Sequence, residues 1–74
     1  MSRLPSLTAK DVVRALKKAG FEEERQRGSH LRMRHPETKK LTVVPMHPGD
    51  LPRQLLKEII KQSGFSEDEF RKFL

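Results

Sequence analysis

The sequence predicts an α+β domain with the order α-β-β-β-α and a short C-terminal helix. Three strands form an antiparallel sheet, and the two longer helices cover one of its faces. Three observations predict this. Apolar residues at helical spacing occur at Val12, Ala15, Leu16 and Ala19, and again at Leu55, Leu56, Ile59 and Ile60. Between them lies SHLRMRH, an alternating segment with the period of a strand. Helix-capping residues stand ahead of the first stripe at Thr8 and ahead of the chain's last segment at Ser66.

Residues 1–7 read as a lead-in. Thr8 caps the first helix, and Asp11, three positions on, answers it as a capping box. Leu7 and Val12 stand at the positions of a hydrophobic staple. Lys10, Arg14, Lys17 and Lys18 cluster opposite the apolar stripe, and Gly20 supplies a left-handed terminus. Residues 21–27, FEEERQR, alternate poorly and carry many charges, which suits an edge strand. Gly28-Ser29 permits a tight reversal.

In residues 29–35, Leu31, Met33 and His35 point one way and His30, Arg32 and Arg34 the other. With helices on the apolar side, the second trio faces water. Pro36 ends the strand. Residues 40–45 form the third strand, with Leu41 and Val43 as the expected inward pair. MHPG is a loop carrying His47. The second helix begins near Asp50, capped by it or with Pro52 in its first turn. Leu51 extends its apolar stripe, and Ser63-Gly64 closes it. Ser66 and Glu69 start the last helix, with Phe65 and Phe70 as a staple. Phe73 and Leu74 continue its apolar side. Double-stranded-RNA-binding domains share this order of elements, an analogy of fold alone.

Seventy-four residues make a single domain, residues 1–74. A domain this small hides about 60% of the surface its unfolded chain exposes. Large apolar residues are therefore assigned to the core before any functional role. The chain has no cysteine, which removes disulfides and thiolate zinc sites. The opening MSRLPSLTAK has no apolar segment of a secretory signal, and no run is long enough to span a membrane. The expected compartment is the cytoplasm. Sixteen Lys and Arg against ten Asp and Glu leave a formal charge of +6. That surplus favours polyanionic partners, RNA first among them, and also serves solubility.

Three histidines are present: His30, His35 and His47. None pairs as H-x-x-x-H, and no carboxylate motif stands at metal-ligand spacing, so no metal or cofactor is expected. An imidazole, with an ordinary pKa near 6.5, suits proton transfer at neutral pH. His30 shares its strand face with Arg32 and Arg34, whose guanidinium groups can hold phosphate by forked hydrogen bonds. Beside them an imidazole can take a ribose 2′-hydroxyl proton or protonate a leaving oxygen. The plainer reading is a solvated histidine in a basic patch. Ser29 can donate to phosphate or to His30, or can be a turn residue only. His35 faces inward and reads as structural. His47 stands before a helix N-terminus, where anions are favoured. Lys10, Arg14, Lys17 and Lys18 can touch phosphates or simply be a wet helix face. No aromatic platform lies on the strands for base stacking.

The chain resembles the HicA toxin family, the small mRNA interferases of bacterial toxin–antitoxin pairs. The resemblance runs over nearly the whole chain. It is carried by LKKAGF at the end of the first helix, by Arg27-Gly28-Ser29-His30, by VVPMHPG and by KQSGF. It implies a fold like that of a double-stranded-RNA-binding domain, and a metal-independent endoribonuclease acting on mRNA. It further implies His30 as the catalytic histidine, Gly28 as the residue that sets its turn, and a HicB-type antitoxin that neutralises the toxin. Many members have a Gly-Thr pair where the second helix begins. Here Pro52-Arg53-Gln54 stand in its place, so no threonine role carries over. The alternative is a non-catalytic RNA-binding domain. A protein-interaction module with an acidic partner is a further competitor.

Overall fold

Thr8 begins the first helix as its sequence predicts. Its hydroxyl accepts from the Asp11 amide at 3.2 Å, and the Asp11 carboxylate accepts from the Thr8 amide at 3.0 Å. The computed structural model describes residues 4–74, so of the expected lead-in the first three positions lie outside the described residues. The elements are α1 (Ala9–Lys18), β1 (Glu22–Arg27), β2 (His30–Arg34), β3 (Leu41–Pro45), α2 (Arg53–Gln62) and α3 (Glu67–Arg71). The sheet has the order β1-β2-β3, antiparallel throughout. This is the expected α-β-β-β-α architecture, like that of double-stranded-RNA-binding domains.

The core lies between the sheet and the helices. Val12 and Leu16 from α1, Leu31 and Met33 from β2, and Leu56, Ile59 and Ile60 from α2 are all buried in one cluster. Phe70 of α3 joins it, fully buried. Each such side chain stabilises the fold by about 1.5–3 kcal/mol relative to exposure. Gly20, at φ +104, turns the chain out of α1, and Phe21 re-enters the core. Ser66 and Glu69 form the second capping box, which starts α3.

Three expectations are corrected. In β3 the inward residues are Thr42 and Val44, 2% and 0% exposed, not Leu41 and Val43. The register decides it: Val44 stands opposite Leu31 and Thr42 opposite Met33, and opposed residues share a face. Thr42 tolerates burial because its hydroxyl donates to Gln62 Oε1 at 2.8 Å. Second, α2 starts at Arg53 after Pro52, with no side-chain cap. Asp50 instead pairs through its backbone with Thr8, and Leu51 N–H donates to Leu7 O at 2.8 Å. The approach to α2 is thus stitched to the lead-in of α1. Third, Leu74 is 44% exposed, so the apolar side of α3 ends at the half-buried Phe73.

Candidate functional site

The face of the sheet turned away from the helices is open. Along β2, His30 and Arg32 are exposed and Leu31 and Met33 are buried, as the alternation predicts. Gly28, at φ +55, takes the first of the two turn positions between β1 and β2. Positive φ at that position is what a tight two-residue hairpin asks of glycine. His30 is the first residue after the turn and stands opposite Arg27 on one side and Pro45 on the other.

A bulge in β1 determines what surrounds it. The pairing runs Glu22 with Arg34 and Glu23 with Met33, then slips to Arg25 with Arg32, Gln26 with Leu31 and Arg27 with His30. A bulge inserts one residue and turns the following side chains over. Without it Arg25 would oppose the buried Leu31. With it, Arg25 and Arg27 join His30 and Arg32 around one depression, with Val43 at its edge. Glu24, the residue at the slip, accepts from Arg32 Nε at 2.9 Å. Glu23, before the slip, points to the helix side and pairs with Lys17 at 2.6 Å.

Arg25 therefore faces Arg32, and Arg27 faces His30. Two arginines directly opposed destabilise a sheet, and the Glu24 carboxylate offsets only the Arg32 side of that pair. Among the described residues neither Arg25 nor Arg27 has an ion pair. A bound anion would relieve that repulsion, and forked guanidinium donors suit phosphate oxygens.

His30 also lines a second cavity of about 470 Å³, on its other side. The loop before α2 brings His47 and Asp50 to this cavity, and Val43, Pro45, Leu51 and Leu55 give it apolar walls. The hairpin turn is tied to that loop, since Met46 N–H donates to the Ser29 carbonyl. His30 and His47 thus stand on one cavity, although seventeen positions separate them in sequence. Among the described residues no three His, Asp or Glu side chains group as a metal would need.

The other predicted residues divide. Gly28 and the half-buried Ser29 form the turn that presents His30. Lys10 sits beside the His47 loop, in a depression with Met46 and Pro48. Arg14 and Lys18 lie elsewhere, by Phe73 and Leu74. Lys17 is taken by Glu23. Arg34 is on the His30 face but four residues along the strand, about 13 Å away, in a half-buried position among Glu22, Glu23 and Glu24. His35 serves packing. Its ring meets Phe21 edge-on at 5.2 Å, and its Nδ1 accepts from the amides of Glu37 and Thr38, each at 3.2 Å. The sequence reading missed Arg25, Arg27 and Asp50 as site residues. Only the bulge and the loop's path put them there, and neither has a sequence signal.

Among the described residues no helix is long and apolar enough to cross a membrane. No curated protein matches the chain. The family model of the HicA toxin of bacterial toxin–antitoxin systems matches residues 9–65 of the 74. That span runs from the first residue of α1 to just past the end of α2 and includes every residue of the open sheet face. The chain belongs to the HicA toxin family.

Proposed function

We propose that this protein is an endoribonuclease toxin that cleaves messenger RNA without a metal, with His30 as a proton-transferring catalytic residue. One observation carries the proposal. His30 is exposed between a depression ringed by Arg25, Arg27 and Arg32 and a cavity that also holds His47. Phosphate oxygens held by the arginines put the scissile phosphorus beside the imidazole. The ribose 2′-hydroxyl attacks that phosphorus and gives up its proton, the bond to the 5′-oxygen breaks, and that oxygen receives a proton. The products are a 2′,3′-cyclic phosphate and a 5′-hydroxyl. Arginine donors stabilise the charge that develops on the phosphoryl oxygens.

One imidazole makes one proton transfer in such a step, and the reaction needs two. His47, on the same cavity, supplies the second. Ser29 and Lys10 flank the site as phosphate donors. A HicB-type antitoxin neutralises the toxin in the cytoplasm by covering this cationic face with acidic groups.

The test is incubation of purified protein with a messenger transcript in the presence of EDTA. The expected fragments end in cyclic phosphate, and they disappear with His30→Ala protein that unfolds at the wild-type temperature. Intact RNA after incubation with folded wild-type protein would overturn the nuclease reading. Equal cleavage by the toxin–antitoxin complex and the free toxin would overturn neutralisation by occlusion.

A further inference from the structure

We infer that the cavity between His30 and the start of α2 is a base pocket, taking one unpaired nucleobase of single-stranded RNA next to the phosphate held by the arginines. The inference rests on the RNA-directed reading of the open face and adds what the site selects. Two depressions meet at His30 and Val43, and these two residues line both. One depression is ringed by guanidinium groups. The other is walled mainly by aliphatic side chains and proline rings, namely Val43, Pro45, Pro48, Leu51, Pro52 and Leu55, with His47 and Asp50 as its polar groups. An anion site and an apolar site that share a wall match the two halves of a nucleotide.

Val43 marks the junction. It is 41% exposed, one of two large hydrophobic side chains exposed among the described residues, and it stands opposite Arg32. On a wet strand face between cations, an exposed valine gives up favourable burial unless something covers it. The cavity volume falls within the roughly 300–1,000 Å³ range of small-molecule sites. Flat walls such as proline rings suit the face of a base, and the Asp50 side chain can meet its polar edge. An RNA occupant is favoured over a protein side chain because the cavity adjoins, at His30 and Val43, the depression ringed by Arg25, Arg27 and Arg32.

The consequence is strand selectivity. In an A-form duplex the bases are stacked and paired, and only backbone and groove edges are presented. A duplex can satisfy the arginines but leaves the apolar cavity empty. The protein therefore selects unpaired RNA, although its order of elements is that of domains that bind duplexes.

The experiment measures wild-type protein binding to three 2′-O-methyl RNAs, which lack the attacking hydroxyl. These are a short single strand, its abasic counterpart with the same phosphates, and a perfect duplex of the same sequence. The single strand is expected to bind about fivefold tighter than the abasic strand, the lower end of what one stacked base contributes. It should also bind tighter than the duplex, against the duplex's greater charge density. Val43→Ser should narrow the gap between the single strand and the abasic strand while leaving thermal unfolding unchanged. Equal affinity for intact and abasic strands, or preference for the duplex, overturns the pocket. So does a Val43→Ser defect confined to antitoxin binding. Base-dependent binding by a protein that cleaves no RNA would sustain the pocket and defeat the nuclease reading. Cleavage with base-independent binding would do the reverse.

Discussion

The two ends of β2 carry a histidine each in or next to the strand, and the fold uses them oppositely. At the start, His30 is exposed beyond the Gly28-Ser29 turn, faces Arg27, and lines two depressions. At the far end, His35 is clamped. Its ring meets Phe21, its Nδ1 accepts two backbone amides, and a β-carbon on Gly20 would lie 2.6 Å from its Nε2. The same residue type is exposed surface at one end of the strand and packing just past the other. What differs is the number of neighbours that hold each ring, and the charge those neighbours bring.

The comparison breaks most visibly under alanine substitution. His30→Ala should lower RNA cleavage by about 10²–10⁴ and change stability by only about 0.5 kcal/mol. His35→Ala should reverse the pattern, costing about 1–2 kcal/mol of stability through the lost aromatic contact and amide acceptor, with cleavage by the folded fraction kept. Paired rate and unfolding measurements decide it, and a stability loss for His30→Ala as large as that for His35→Ala would erase the distinction.

The glycines that flank these histidines sharpen it. Gly20→Ala puts a methyl group into the His35 ring at a backbone φ of +104. Left-handed backbone alone costs about 1–2 kcal/mol, and the displaced ring adds to it. Gly28→Ala, at φ +55 with nothing within 4 Å, should cost only about 1 kcal/mol and act mainly on cleavage, by shifting His30. Thermal denaturation should rank Gly20→Ala as the more damaging.

A third measurement sets the open sheet face against the outer face of α1. Both are basic, but the helix cations are partly spent. Arg14 lies 3.5 Å from Asp11, and Lys17 pairs with Glu23. Arg25→Gln with Arg27→Gln should weaken single-stranded RNA binding and reduce the slope of log affinity against log salt by about 1.4, near 0.7 per phosphate contact. Arg14→Gln with Lys17→Gln should leave the slope nearly unchanged. Equal slopes for the two double variants would mean that net charge, and not the sheet face, binds RNA.

The smallest effect is at the start of α1. Hydrogen bonds from Thr8, backbone first and then hydroxyl, hold the Asp11 carboxyl below the ordinary value of 3.8, with Arg14 adding to the shift. A carboxyl whose folded pKa is depressed stabilises the fold above its unfolded pKa, and loses that contribution as pH falls through the folded value. Stability should therefore drop with acidification below pH about 4, and Asp11→Asn should flatten that limb without altering cleavage at neutral pH. An unchanged acid limb in Asp11→Asn would remove Asp11 from the account.

Local chemistry was legible in the sequence. Thr8 with Asp11 and Ser66 with Glu69 are contacts three residues apart, so their spacing alone specified both capping boxes. The alternation of β2 placed His30 and Arg32 outward and Leu31 and Met33 inward, because a strand's period is fixed by its backbone. The family too was legible, since LKKAGF, RGSH, VVPMHPG and KQSGF fall within the matched span. What only the tertiary structure decided depends on register. The phase of β3 follows from pairing with β2, which buries Thr42 in place of Val43. The slip at Glu24 turns Arg25 and Arg27 toward His30. The backbone ties from Met46 to Ser29 and from Leu51 to Leu7 carry His47 to the same cavity. Each depends on which residue of one strand or loop lies against which residue of another. One position of slip exchanges the two faces, so no reading of a single segment can supply it.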